Sequence, residues 1–215
     1  MIADILRFTL PKIYPITDTA ISGLTHCEQV KQLIEGGATL IQLREKRASP
    51  REFFQAARES LSIAHAAGIK LIINDRVDIA LAIGADGVHL GQADMPVEAA
   101  RRLLGGRSII GCSTHNLNQV EEALRLPIDY LAFGPIFPTA TKENPDPIVG
   151  LAELAQIKNL VGSLPLVAIG GIGADAIREV LMSGADSIAI ISAVLNPAKL
   201  IAENLRNLEN LATLA

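Results

Sequence analysis

One short phrase recurs along the chain and limits what it can fold into. Gly37-Ala38-Thr39 leads into Leu40-Ile41-Gln42, Gly84-Ala85-Asp86 into Gly87-Val88-His89, and Gly184-Ala185-Asp186 into Ser187-Ile188-Ala189. A degenerate copy, Pro127-Ile128-Asp129, leads into Tyr130-Leu131-Ala132. Each copy closes a helix-like stretch and opens a short apolar run, as a helix ending at glycine before a strand does. Other apolar runs, at 70–74, 108–112 and 165–169, alternate with the copies, and one at 13–17 stands ahead of them all. The pattern predicts eight strands, near 13–17, 39–44, 70–74, 86–90, 108–112, 129–133, 165–169 and 187–191.

Helix signals fill the gaps. Thr25-His-Cys-Glu28 and Ser49-Pro50-Arg51-Glu52 both read as capping boxes, the second with proline at the first helical position. Pro96 and Pro197 are expected to open helices in the same way, the latter with Asn196 as N-cap. Eight continuously apolar strands alternating with helices indicate a parallel sheet covered on both faces. The expected fold is α/β, a single (β/α)8 TIM barrel over residues 1–215, with 1–12 as an N-terminal extension. A doubly wound open sheet is the runner-up. At 215 residues the barrel lies near its lower size bound, so most loops must be short. The stretch 139–150 is the exception: polar, broken by proline and long, it reads as an active-site loop.

Composition excludes other classes. The chain is 49% hydrophobic and 20% charged, too apolar for disorder, yet its apolar runs are too short for a membrane span. Two cysteines, Cys27 and Cys112, make no disulfide framework. The start MIADILRFTL has no charged segment followed by a long apolar one, so the reading is a cytoplasmic, reducing setting without a signal peptide. A net charge of −4 and 3% aromatics argue against a nucleic-acid footprint or a stacking platform. An anionic ligand would need a local cluster of cations.

In a barrel of this kind, chemistry belongs at the carboxyl ends of the strands. After strand two, Gln42, Arg44 and Lys46 alternate onto one face if the strand persists, a converging anion site. The bland alternative is a solvated turn in which Glu45 pairs with a neighbour. Asp75 after strand three and Asp94 after strand four occupy matching places, and two acids beside two cations suit Mg²⁺ bridging a diphosphate. Taken singly, Asp75 reads as a turn residue and Asp94 as a helix cap. Ser113, after strand five, suits hydrogen bonding to a ligand, and nothing around it resembles a nucleophile elbow. His115 reads as approaching the N-cap at Asn116, Cys112 as a buried small hydrophobe, and His89 as a satisfied core histidine; His26 and His65 lie on helices and carry no signal. Thr139, Thr141 and Lys142 begin the long loop and could close over an anion. Gly170-Gly171 after strand seven and Ser192 after strand eight suit a phosphate held by backbone amides.

With these residues assembled, the sequence resembles the thiamine-phosphate synthase (thiamine-phosphate pyrophosphorylase) family. The likeness runs from Tyr14-Pro-Ile-Thr-Asp18 to Ser192-Ala193. It is carried by QLREK from Gln42, Asn74-Asp75, Gly91-Gln-Ala-Asp94, Gly111-Cys-Ser113-Thr-His115, Pro138-Thr-Ala-Thr-Lys142 and Ala168-Ile-Gly-Gly-Ile172. The resemblance implies a TIM barrel that joins 4-amino-2-methyl-5-(diphosphooxymethyl)pyrimidine to 4-methyl-5-(2-phosphooxyethyl)thiazole, releasing pyrophosphate. By carry-over, Gln42, Arg44, Lys46, Asn74, Ser113 and Lys142 contact the pyrimidine diphosphate, with Arg44, Lys46, Ser113 and Lys142 as the catalytic set. Asp75 and Asp94 hold Mg²⁺, and Thr139, Thr141, Gly171, Ile191 and Ser192 receive the thiazole phosphate. Gly173 and Ala176 stand where many relatives carry threonine and asparagine, which removes side-chain hydrogen bonds at that helix start.

Two other readings share the barrel: a thiazole tautomerase-like paralogue, whose members usually lack the metal-site acids, and a silent thiamine-phosphate-binding barrel. Partners are small molecules, with no nucleic acid and no membrane, and the sequence leaves monomer and homodimer both open.

Overall fold

The computed structural model describes residues 9–141 and 146–214. Eight strands appear where the apolar runs predict them: β1 (Ile13–Thr17), β2 (Leu40–Leu43), β3 (Lys70–Asn74), β4 (Gly87–Leu90), β5 (Ile109–Thr114), β6 (Tyr130–Phe133), β7 (Leu166–Ile169) and β8 (Ser187–Ile190). All pair in parallel in sequence order, and β8 returns to β1 with Ile13 opposite Ile188. That closure excludes the open doubly wound sheet. The result is a (β/α)8 TIM barrel.

Ten helices lie between or after the strands among the described residues: α1 (Thr19–Ser22), α2 (His26–Glu35), α3 (Pro50–Ala66), α4 (Val77–Ile83), α5 (Val97–Leu104), α6 (Leu117–Ala123), α7 (Gly150–Val161), α8 (Ile177–Met182), α9 (Ser192–Leu195) and α10 (Ile201–Thr213). Both capping boxes form, Thr25 with Glu28 and Ser49 with Glu52, each side chain accepting from the other's backbone N–H. Two expectations need correction. Pro96 sits one place before α5 with extended ψ of 135°, so it precedes the helix instead of starting it. Asn196 closes α9 through its own N–H to Ser192 O, and Pro197 leads into a single 3-10 turn at Ala198–Leu200. The residue before a proline is pushed out of helical geometry, which is why Asn196 ends one helix and does not cap the next.

Side chains alternate across each strand, and this splits the core into two. Inward-facing Tyr14, Ile16, Leu40, Ile72, Ile109, Tyr130, Ala132, Val167 and Ala189 fill the barrel, with Leu10 packed against them. Outward-facing residues such as Ile41, Leu71, Ile73, Val88, Ile110, Leu131 and Ile188 pack beneath the helices, and Cys112 belongs to this outer layer. Burial pushes the Cys112 thiol up to about 11, helped by the charge of Asp94, so it packs as a small apolar group.

The recurring phrase has a structural meaning at the amino-terminal rim. Asp86 accepts the backbone N–H of Leu71, Asp129 that of Ile110, and Asp186 that of Leu166, each at 2.8 Å. Each therefore clips the start of an even-numbered strand to its odd-numbered predecessor. A helix supplies each aspartate's side-chain partner: His65 from α3 to Asp86, Arg101 from α5 to Asp129, and Lys158 from α7 to Asp186. The aspartates satisfy amides that the sheet ladder would leave open.

Candidate active site

The opposite rim holds two adjoining cavities. The inner one, about 530 Å³, is lined by Gln42, Arg44, Lys46, Asn74, Asp75, Asp94, Ser113, Thr139, Thr141, Gly171, Ile191 and Ser192. The outer one, about 1000 Å³, shares Arg44, Lys46, Thr139, Thr141, Gly171 and Ser192, and adds Asp18 and Thr19. Every site residue expected from the sequence thus meets at one mouth, except Lys142, which lies outside the described residues.

β2 ends at Leu43, one residue earlier than expected, and Glu45 explains how Arg44 and Lys46 still face the cavity. One Glu45 oxygen accepts the backbone N–H groups of Arg47 and Ala48 at 2.7 and 3.1 Å. The other accepts from Thr19 Oγ1 at 3.0 Å and lies 3.2 Å from His26 Nε2. Burial raises the Glu45 pKa, yet the amides, the hydroxyl and His26 outweigh it and bring the carboxyl down to about 2. His26 in turn is buried, with Nδ1 2.8 Å from Thr17 Oγ1, and burial lowers its pKa against the pull of Glu45 and Asp18. Glu45 is thus spent on pairing within the fold, while Arg44 and Lys46 on either side of it line the cavity. His26, expected to carry no signal, anchors this turn.

Arg44 bonds through Nη1 to Asp18, whose other oxygen caps α1 by accepting from Ala20 and Ile21 N–H. Lys46 Nζ bonds to Asp75. Asp75 has φ of 62°, a left-handed conformation that aspartate tolerates better than most residues. It is a turn residue and a lining residue at once. Asp94 does not cap α5: its Oδ2 accepts from Gly91 N–H at 2.6 Å, inside its own loop. Burial raises the Asp94 pKa, the Gly91 amide opposes that, and the nearby Asp75 carboxylate raises it further. The two acids are close enough to repel. Among the described residues no three His, Cys, Asp or Glu side chains come together as a metal cluster.

β5 extends two residues further than expected because Ser113 and Thr114 pair with Ala132 and Phe133. Ser113 Oγ lies 2.7 Å from His89 Nε2. His115 does not approach the Asn116 cap; Asn116 caps α6 by accepting from Gln119 N–H. Instead His115 Nδ1 is 2.6 Å from Gly134 O and Nε2 is 3.4 Å from Asp146, so it ties β5 to both ends of the long loop.

The glycines after β7 meet that same loop. A Cβ on Gly170 would lie 2.5 Å from Pro135, and one on Gly171 would lie 2.3 Å from Pro138 O. Both have positive φ, and Phe137 N–H bonds to Gly170 O at 3.0 Å. They admit the loop backbone first and leave the cavity wall bare as a result. Gly173 and Ala176 indeed make no side-chain cap bond at the following helix start.

With this geometry in hand, similarity to known proteins becomes decisive. The family model described as thiamine monophosphate synthase matches residues 13–194. The chain is 46% identical over 185 residues to the thiamine-phosphate synthase of Clostridium novyi, covering 86% of this chain and 90% of that protein. It is 47% identical over 185 residues to that of Chloroflexus aurantiacus, covering 86% and 85%. This chain belongs to the thiamine-phosphate synthase family. Its members' fold agrees: the thiamine phosphate pyrophosphorylase of Pyrococcus furiosus superposes with a TM-score of 0.84 at 38% identity, covering 94% of this chain and 95% of that one. Membership makes the chain an enzyme of the transferase class. No helix among the described residues is long and apolar enough to cross a membrane.

Four residues at or beneath this mouth have roles that the sequence reveals in part or not at all. Asp18, Glu45, His26 and Asp146 act through partners distant in the chain. Only Glu45, set between Arg44 and Lys46, carried a local signal.

Proposed function

We propose that the enzyme condenses 4-amino-2-methyl-5-(diphosphooxymethyl)pyrimidine with 4-methyl-5-(2-phosphooxyethyl)thiazole to give thiamine phosphate and pyrophosphate, in the cytoplasm and with Mg²⁺. The observation that carries this reading is the meeting of Arg44 and Lys46 with Asp75 and Asp94 over one cavity. That cavity continues into a second space, which shares Arg44 and Lys46 with it and is walled by Thr139, Thr141, Gly171 and Ser192.

The donor set suits a hard cation. Two carboxylates face each other closely enough to raise the pKa of Asp94, and like charges so placed favour a metal between them. Asp75 and Asp94 would hold the Mg²⁺, with substrate oxygens completing its shell, and the bound ion would neutralise charge on the diphosphate. Arg44, Lys46 and Lys142 stabilise the leaving pyrophosphate, more strongly as its bond to the pyrimidine methylene breaks. Asn74, Gln42 and Ser113 orient the pyrimidine diphosphate. Thr139, Thr141, Gly171, Ile191 and Ser192 hold the thiazole phosphate so that its ring nitrogen faces the electron-poor methylene carbon. That nitrogen carries no proton, so the step requires no general base, and excluding water from the mouth protects the pyrimidinylmethyl cation left as pyrophosphate departs, until the thiazole nitrogen bonds to it.

The test is pyrophosphate release with both phosphorylated heterocycles, with and without Mg²⁺. Release that needs both substrates and the metal is expected. Binding of thiamine phosphate without any release would overturn the reading in favour of a silent barrel.

A further inference from the structure

Beneath the mouth, Tyr14, Tyr130 and His89, which the reaction as described does not use, link two residues that it does. Gln42 Nε2 donates to Tyr14 Oη at 3.1 Å, Tyr14 Oη lies 3.2 Å from Tyr130 Oη, Tyr130 Oη lies 2.9 Å from His89 Nδ1, and His89 Nε2 lies 2.7 Å from Ser113 Oγ. These hydrogen bonds cross the barrel interior and join two lining residues on opposite walls, Gln42 on β2 and Ser113 on β5. The chain's two tyrosines are both spent on this line. Tyr130 stacks on His89 at 5.5 Å and meets Tyr14 edge-on at 6.0 Å. Its ring occupies the place of a missing side chain: a Cβ on Gly111 would fall 2.0 Å from Tyr130 Cζ. An apolar interior would pack more simply, so a polar line fully satisfied through the barrel asks for a purpose.

We propose that His89 and Tyr130 are positioning residues that turn the Ser113 hydroxyl proton into the inner cavity, making Ser113 an obligate hydrogen-bond donor to the pyrimidine diphosphate. The inference rests on the function proposed above and deepens it. A neutral imidazole has one donor and one acceptor nitrogen, so the line runs in one of two senses. The Gln42 amide donates into it and sets the sense. Tyr14 then donates to Tyr130, Tyr130 to His89 Nδ1, and His89 Nε2–H to Ser113 Oγ. Every proton along the line finds an acceptor, and the Ser113 proton is left for the ligand. The same sense leaves the Gln42 carbonyl oxygen for a donor on the ligand. Both ring nitrogens of the buried His89 meet hydroxyl oxygens, Tyr130 Oη and Ser113 Oγ, the setting of a neutral ring.

The experiment has two arms. Nitrogen-15 spectra of the His89 ring in the full chain at pH 7.5 should show a protonated Nε2 and a bare Nδ1; the opposite tautomer would overturn the proposal whether or not the protein turns over. In the second arm, Tyr130→Phe keeps the ring in the Gly111 hollow and removes the central link. It should lower kcat/KM for the pyrimidine diphosphate roughly threefold to tenfold, the worth of one hydrogen bond, while KM for the thiazole phosphate stays constant. The same substitution on a Ser113→Ala background should cost nothing more, because the line then ends on no hydroxyl. Equal losses on both backgrounds, or no loss on the wild-type one, would overturn it. Absence of pyrophosphate release by the wild-type protein would instead overturn the functional reading, and the ring spectrum would still decide the tautomer.

Discussion

The two rims of the barrel spend the same residue types in opposite ways. At the amino-terminal rim Asp86, Asp129 and Asp186 each take a backbone amide and a basic side chain from a neighbouring helix. At the carboxyl-terminal rim Asp75 and Asp94 press toward each other, with Lys46 on one and a single loop amide on the other. A carboxylate with its full set of partners holds a fold together. An acid whose pKa is raised by burial and by a neighbouring carboxylate, as for Asp94, holds free energy that an incoming cation or ligand releases. The contrast teaches that pairing pattern, more than residue type, separates structural acids from chemical ones.

The largest effect expected on this contrast comes from Asp94→Asn. Removing one charge from the upper pair should cut Mg²⁺-supported pyrophosphate release roughly 10²- to 10³-fold, measured as kcat/KM under saturating thiazole phosphate. Activity within twofold of wild type would place the metal elsewhere.

The histidines sharpen the same comparison through pH. His65, at the lower rim, is half exposed and pairs with Asp86. His89, under the upper rim, is buried and takes its proton only near pH 4, whereas an unfolded histidine does so near 6.5. Between those values the unfolded chain binds more protons, so the stability present above pH 6.5 is lost as pH falls toward 4. The loss from His89 is on the order of 3 kcal/mol. Urea denaturation from pH 7.5 to 4.5 should show this slope, and His89→Gln should flatten it; an unchanged slope would assign the acid sensitivity to other groups, His26 among them.

At the lower rim, Asp129→Ala leaves the Ile110 amide and Arg101 without their partner. It should cost about 1–3 kcal/mol of stability, read from chemical denaturation, with kcat/KM unmoved. The smallest effect is the most telling in sign: Asp94→Asn should leave stability unchanged or slightly higher, since solvent screens this half-exposed acid, while Asp129→Ala lowers it. Two losses of similar size would erase the distinction between the rims.

Most of the barrel was legible in the sequence because strands buried on both faces read as continuous apolar runs. The β5 end was not, since its last two pairs depend on Ala132 and Phe133 across the ladder. The site was legible where alternation sufficed, as for Gln42, Arg44 and Lys46. It was not where a partner decides the role. The Glu45 turn needs His26 and Thr19, and the interior line joins Tyr14 to Tyr130 across most of the chain. Periodicity says which way a side chain points and is silent on what it meets. Proline was misread twice for a related reason: at 96 and 197 the extended ψ of the proline itself places it outside the helix.

The aspartate clips bind β3 to β4, β5 to β6 and β7 to β8, and no such clip joins β4 to β5 or β6 to β7 among the described residues. The cylinder is therefore riveted in couples at its base. Along the β4–β5 and β6–β7 seams, among the described residues, the foot of the wall is held by main-chain bonds alone, from Ile109 to Asp86 and from Leu131 to Pro165.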